Sequence, residues 1–222
     1  MFNRTTLVIL AIALAGGLGL LAAQKFFAAT DPARSQPALQ VVQLYPQPRT
    51  LPAFALQQSD GTQLLSGELA GHWTLVFIGF THCPDVCPMT LTHLAQAQRQ
   101  WEALPEATRP RVLFVSVDPE RDTPAALGEY AHAFHRDTLA ATADIATLEQ
   151  FARSLSMVFA KVPLGDSAPE GAYTVDHSAS LAVLDPQGRM AGVVSGSVLN
   201  AETPQPDAIA ADLLRLTEGA TP

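Results

Sequence analysis

Two nearly continuous apolar runs stand out along the chain, Trp73 to Phe80 (WTLVFIGF) and Arg111 to Val117 (RVLFVSV). Runs of this length without polar alternation are expected of strands covered on both faces. Each is followed by helical spacing. After the first, Leu91, Leu94, Ala95 and Trp101 fall on one face of a helix that opens near Pro84 or Pro88. After the second, Asp118-Pro119 ends the strand, and Thr123 is placed to cap a helix with Pro124 at its first position. Thr147 and Gln150 fit a capping box for a third helix, with Leu148, Phe151 and Leu155 on one side. A last helix carries Ile209, Leu213 and Leu216, with Gly219 as its C-cap.

Shorter alternating segments complete the pattern. Phe54 to Gln57 and Thr62 to Leu65 flank a Ser-Asp-Gly turn and read as a hairpin; Met157 to Val162 is a short strand. Ser180 to Leu184 and Met190 to Val194, joined by Asp185-Pro186-Gln187-Gly188, form a second hairpin. Strand and helix alternate twice, then a helix and a hairpin follow. That order predicts an α/β fold, a thioredoxin-like central mixed sheet flanked by helices, over residues 51–218.

The N-terminus has a different pattern. Leu7 to Ala23 is 17 residues without a charge, just enough at about 1.5 Å per residue to approach the ~30 Å of a bilayer core. Residues 1–27 are therefore expected to form an N-terminal transmembrane helix. The competing reading is a cleaved signal peptide, although Leu21 and Phe27 occupy places where a cleavage site wants small residues. Either reading exports the domain. Arg4 favours a cytoplasmic N-terminus, which places a single-pass protein in a bacterial inner membrane with its domain in the periplasm. Residues 28–50, rich in Ala, Pro, Gln and Ser, read as a flexible linker.

Composition narrows the function. With 13 basic and 21 acidic residues the net charge is -8, so the chain offers no basic footprint for nucleic acid. Only two cysteines occur, Cys83 and Cys87. In an oxidising compartment they lie too close together to close a useful structural loop, which points to chemistry.

Cys83-Pro84-Asp85-Val86-Cys87-Pro88 sits where the first buried strand hands over to its helix, the carboxyl edge at which α/β sheets keep their sites. A helix N-terminus there is expected to ease loss of the thiol protons, and the thiolate is the metal-binding form. Two sulfurs four residues apart reach one ion, and a third ligand must come from elsewhere. Of six histidines His177, in YTVDHS, is best placed, because in a thioredoxin-like sheet that loop returns to the cysteine edge. Asp176 is a candidate for orienting the imidazole, and Asp118 for shaping the site or docking a partner; a solvated loop and a turn role explain each as well. His82 is a weaker ligand candidate, and His132 and His135 read as a solvated helix face.

GFTHCPDVCP (79–88), FVSVDPERDTP (114–124) and VDHSAS followed by DPQGR resemble the SCO/SenC family of copper proteins, over most of the chain from about residue 50. The resemblance implies a thioredoxin-like fold and a copper ion, Cu(I) or Cu(II), held by Cys83, Cys87 and His177. It implies a metallochaperone role in cytochrome c oxidase assembly, with the copper-accepting subunit of the oxidase, a periplasmic copper donor and a thiol reductant as partners. The donor set agrees with that chemistry: thiolates suit Cu(I), an added imidazole tolerates Cu(II), and three ligands leave an open position for transfer. Thiol-disulfide oxidoreductase activity of the Cys83/Cys87 pair is the alternative. Its usual motif is one residue shorter, and a zinc enzyme, lacking an evident general base, ranks third.

Overall fold

The computed structural model describes residues 3, 4, 8, 12–20, 23, 39–165, 168–194 and 205–219. Its chain divides into two units, 1–37 and 38–222. In the first, residues 12–20 are helical and exposed. Among the described residues no helix is long and apolar enough to cross a membrane. The span expected at Leu7 to Ala23 lies partly outside those residues.

Among the described residues the second unit holds ten strands and four α-helices. The strands are β1 (Val42–Arg49), β2 (Ala55–Gln58), β3 (Gln63–Leu65), β4 (Thr74–Gly79), β5 (Arg111–Ser116), β6 (Leu139–Thr142), β7 (Phe159–Pro163), β8 (Tyr173–His177), β9 (Leu181–Leu184) and β10 (Met190–Val194). The helices are α1 (Val86–Trp101), α2 (Pro124–Phe134), α3 (Ile145–Ser154) and α4 (Pro206–Gly219). Eight strands form one sheet in the order β1-β10-β9-β4-β5-β6-β2-β3, and β7 and β8 pair separately. β4, β5 and β6 run parallel in register Phe77↔Phe114 and Phe114↔Ala140. The remaining pairs are antiparallel. All six residues of β4 are buried, as its unbroken apolar run requires.

Helix α1 covers the sheet through Leu91, Leu94, Ala97 and Trp101, all essentially inaccessible to water. Burying each large side chain contributes about 1.5–3 kcal/mol relative to leaving it exposed. Trp101 also donates its indole N–H to the Ala210 carbonyl at 3.2 Å, tying α1 to α4. Thr123 caps α2 as its position predicts, accepting from the Ala126 amide.

Four expectations need correction. The segment read as linker, 28–50, contains β1 over Val42–Arg49, which among the described residues is an edge strand paired with β10. Pro46 and Pro48 hide it in the sequence, yet an edge tolerates proline because one side of the strand has no ladder to complete. Helix α3 is capped by Asp144, whose carboxylate accepts from the Thr147 amide at 3.0 Å, so the helix starts earlier than a Thr147 capping box would place it. Gly219 is the last helical residue of α4 and does not lie beyond it. His135 is buried at the end of α2 and does not face solvent. Its Nδ1 accepts from the Asp137 amide and its Nε2 meets the Glu102 carboxylate at 3.2 Å, which joins the ends of α1 and α2.

Candidate metal centre

The carboxyl ends of β4 and β5 meet at a backbone bond from the Val117 amide to the Gly79 carbonyl, 2.9 Å, and the site opens beyond it. The loop after Gly79 carries Cys83, and Cys87 is the second residue of α1. The Cys87 amide, one of the free N–H groups at that helix start, donates to Cys83 Sγ at 3.3 Å. Asp85 precedes the helix without a side-chain cap, so the Cys83 sulfur takes a capping role.

Gly79 makes the room. A Cβ at that position would lie 2.8 Å from Cys87 Sγ and 3.0 Å from Phe114 Cε2. The sulfur is thus seated against bare backbone at the end of the central strand, which explains a glycine in an otherwise bulky run.

His177 arrives at the end of β8. Its Nδ1 lies 3.1 Å from the Ser178 carbonyl and its Nε2 lies 3.4 Å from Cys87 Sγ. A carbonyl can only accept, so Nδ1 carries the hydrogen and Nε2 presents its lone pair to the sulfur. The rings of Phe77 and Phe80 meet the imidazole edge-on at 5.8 and 6.0 Å. Burial lowers the His177 pKa below the ordinary imidazole range, against opposing help from the Ser178 carbonyl and the Asp176 charge. The ring is neutral at neutral pH, the state in which it can ligate.

Cys87 corrects the expectation of an easily ionised helix-terminal thiol. Its burial pushes the thiol pKa well above the ordinary range, and the backbone at Phe80 opposes this only in part. The helix N-terminus loses to desolvation because the sulfur lies beneath the loop, with no exposed surface. Without a metal, Cys87 keeps its proton and points it at a neutral imidazole.

One donor atom from each of Cys83, Cys87 and His177 lies within 4.8 Å of the others, and among the described residues this is the one such cluster of three or more donors. The sequence predicted all three. Asp176 stays outside: strand alternation turns it to solvent, and the Ser178 carbonyl holds the imidazole in its place. Asp118 is buried, accepts from Arg121 Nε and from the Tyr173 hydroxyl at 2.8 Å, and makes no direct contact with the donors. His82 Nδ1 sits 3.5 Å from Asp122 Oδ1, away from the cluster.

Asp122 is the residue sequence reasoning overlooked. Fully enclosed, it accepts from the Thr81 amide at 2.9 Å and from the hydroxyls of Thr81 and Ser116, which fixes the loop leading to Cys83. Its position in DPERDTP, four residues after Asp118, carried the signal. Tyr173 and Arg121 went unnoticed because β8 was read as a loop.

The fold and the donor set define an α/β protein with a soft three-donor centre at the open edge of its sheet. The chain belongs to the SCO1/SenC family, whose model matches residues 42–217. It is 38% identical over 135 residues to the mitochondrial SCO2 homolog of Bos taurus, covering 61% of this chain and 50% of that protein. The chain therefore spans about half the length of such curated relatives. Among solved structures it resembles Bradyrhizobium japonicum ScoI with copper bound, at 33% identity and TM-score 0.63, over 75% of this chain and 99% of that one. It also resembles the apo Sco1 protein of Thermus thermophilus, at 31% identity and TM-score 0.67, over 82% and 99%.

Proposed function

We propose that this protein binds copper through Cys83, Cys87 and His177 and delivers it to the binuclear copper site of cytochrome c oxidase during assembly. The observation that carries the reading is the convergence of two sulfurs and one lone-pair-bearing nitrogen within 4.8 Å at a sheet edge. Copper-bound relatives with the same fold support the choice of metal. Two sulfurs match Cu(I), and the imidazole extends the site to Cu(II). The copper is cargo, and a partner's ligand can approach a site with three protein donors. Cys87 gives up its proton as the ion arrives, Nε2 of His177 needs to lose none, and the Ser178 carbonyl keeps that imidazole in the ligating tautomer. The apolar run at Leu7 to Ala23 supports tethering to a bacterial inner membrane with the domain in the periplasm, beside an oxidase subunit as acceptor.

Titration of the reduced protein with Cu(I) against a competing chelator is expected to give one site. His177→Ala is expected to weaken it at least tenfold, and Cys83→Ser or Cys87→Ser to abolish tight binding. Unchanged stoichiometry and affinity in His177→Ala would remove the histidine from the ligand set.

A second reading rests on the same two thiols, both free and close enough to pair. As a thiol-disulfide oxidoreductase the pair would pass two electrons and two protons to a partner disulfide and close its own. Burial of Cys87 leaves Cys83 as the attacking sulfur in that scheme. Efficient reduction of an oxidised oxidase-subunit fragment by the metal-free protein, unaffected by His177→Ala, would favour it.

A further inference from the structure

The third donor stands on a strand outside the main sheet. Among the described residues β8 pairs only with β7, in the register Phe159↔His177 through Pro163↔Tyr173. On β8 the residues Tyr173, Val175 and His177 share a face, and Tyr173 lies roughly 13 Å along the strand from the imidazole's Cα at about 3.3 Å per residue. Val175 packs into the core, and the strand end opposite His177 is held by something else.

That something is Tyr173. Its ring lies between two cations, with Arg121 Cζ and Lys161 Nζ each 3.8 Å from the centroid. Its hydroxyl donates to Asp118, and its carbonyl accepts from Arg121 Nη1 at 3.1 Å. Lys161, on β7, pairs with Glu120 at 2.6 Å. Asp118, Glu120 and Arg121 all belong to the loop after β5, so their contacts with Tyr173 and Lys161 join that loop to the β7–β8 hairpin, while the Lys161–Tyr173 contact ties the two strands of the hairpin together. Arg121 also lies 5.6 Å from the Phe80 ring, which meets His177. One guanidinium thus touches both the far end of the hairpin and the aromatic wall of the site.

We propose that Tyr173, gripped by Arg121 and Lys161, is the positioning residue that holds the His177 strand against the cysteines and so sets whether the site offers three donors or two. With the grip intact, Nε2 stays at Cys87. With it released, the hairpin loses its attachment to the β5 loop, and the sulfurs, fixed by β4 and α1, remain alone. The metal-dependent part of this inference rests on the copper reading above; the placement of His177 does not.

The test uses the full chain and avoids Arg121, whose removal would strand the buried Asp118 carboxylate. Tyr173→Leu removes the ring, Tyr173→Phe keeps it, and Lys161→Met removes one exposed cation. In the metal-free protein, Tyr173→Leu is expected to speed amide hydrogen exchange in β7 and β8 about tenfold, and Lys161→Met about threefold, the scale of cation–π contacts. Exchange in β4 and β5 is expected to stay at the wild-type rate. The His177 ring-proton shift, set by Phe77 and Phe80, should move toward its free-imidazole value in Tyr173→Leu and hold in Tyr173→Phe. With Cu(II) bound, the nitrogen signature of Tyr173→Leu in electron paramagnetic resonance should approach that of His177→Ala, while Tyr173→Phe keeps the wild-type spectrum. Wild-type hairpin exchange in Tyr173→Leu, or a loosened hairpin with an unmoved His177 shift, overturns the proposal. If Tyr173→Leu fails to fold, Lys161→Met decides, and exchange unchanged there overturns it equally. A wild-type protein that takes up no copper refutes the copper reading, and the metal-free exchange and ring shift then still decide the latch.

Discussion

Replacing Gly79 by alanine adds one methyl group at the point where the central strand meets the Cys87 sulfur, a proposed copper ligand. The new Cβ would lie 2.8 Å from Cys87 Sγ, 3.0 Å from Phe114 Cε2 and 3.3 Å from Phe77 Cε1. Ordinary contact begins near 3.4 Å, so the sulfur must retreat by 3.4 − 2.8, about 0.6 Å, unless the strand itself shifts. The strand has little freedom, because β4 is buried throughout, paired with β5 as far as Gly79↔Ser116 and with β9 over Thr74 to Val76. Phe77 and Phe114 stack at 5.7 Å and close the other directions. Overpacking of this kind costs about 1–3 kcal/mol, which for a protein of this size lowers Tm by roughly 2–4 °C per kcal/mol. The chemical effect is separate: metal sites hold donor distances to about 0.2 Å, and a 0.6 Å displacement exceeds that threefold. Gly79→Ala is therefore expected to weaken Cu(I) binding at least tenfold, measured by chelator competition, while lowering Tm by several degrees in calorimetry. Wild-type affinity together with wild-type Tm would show that Cys87 is not seated against this backbone. A lowered Tm with unchanged affinity would mean that the aromatic rings yield, and would refute the claim that Gly79 sets the sulfur position.

Three further expectations concern protons and the first strand. Since Cys87 is protonated well past the ordinary thiol pKa of about 8.5, Cu(I) loading should release its proton at every pH from 6 to 8, and affinity should rise at least tenfold per pH unit, readable by titration in buffers of different ionisation enthalpy. For His177 the folded pKa is depressed below the unfolded value of about 6.5, so the unfolded state binds more protons in that window and stability falls as pH drops from 6.5 through the folded pKa; His177→Ala should flatten that limb of a chemical-denaturation series. Asp212 is fully buried and accepts from the amides of Gln40, Val41 and Val42 at 2.8 to 3.0 Å. Asp212→Ala should cost about 2–4 kcal/mol in urea unfolding and expose the β1 amides to rapid exchange first, whereas wild-type protection of β1 would show that the carboxylate does not anchor it.

The sequence makes the inner strands and the sulfur pair legible for one physical reason: both are local. β4 and β5 announce themselves as unbroken apolar runs, and the cysteines declare their site by spacing at a strand-to-helix turn. β1 and β8 are quieter. β1 is an edge strand interrupted by Pro46 and Pro48, and β8 holds only Val175 fully inside. β1 loses its alternation after Leu44, and the five-residue alternation of β8 is too short to stand out from the Gly- and Pro-containing loop before it. His177 was recognisable mainly from the family motif, since its partner Cys87 is 90 residues away. Asp122 and Arg121 were hidden differently. In DPERDTP they read as turn and solvated charges, and only the folded loop reveals one enclosed by three donors and the other stacked on a tyrosine.

The three donors are therefore held by unequal means. Cys87 is locked by α1 and the bare backbone of Gly79; Cys83 sits half-exposed in a loop pinned through Asp122 and Thr81. His177 hangs on a two-stranded arm gripped at its far end. A site meant to keep its metal would place all its ligands on rigid, closed elements. On the copper-delivery reading proposed above, grading the donors from fixed to releasable would instead let a partner displace the imidazole first while the sulfurs still hold the ion, so that transfer would proceed one ligand at a time.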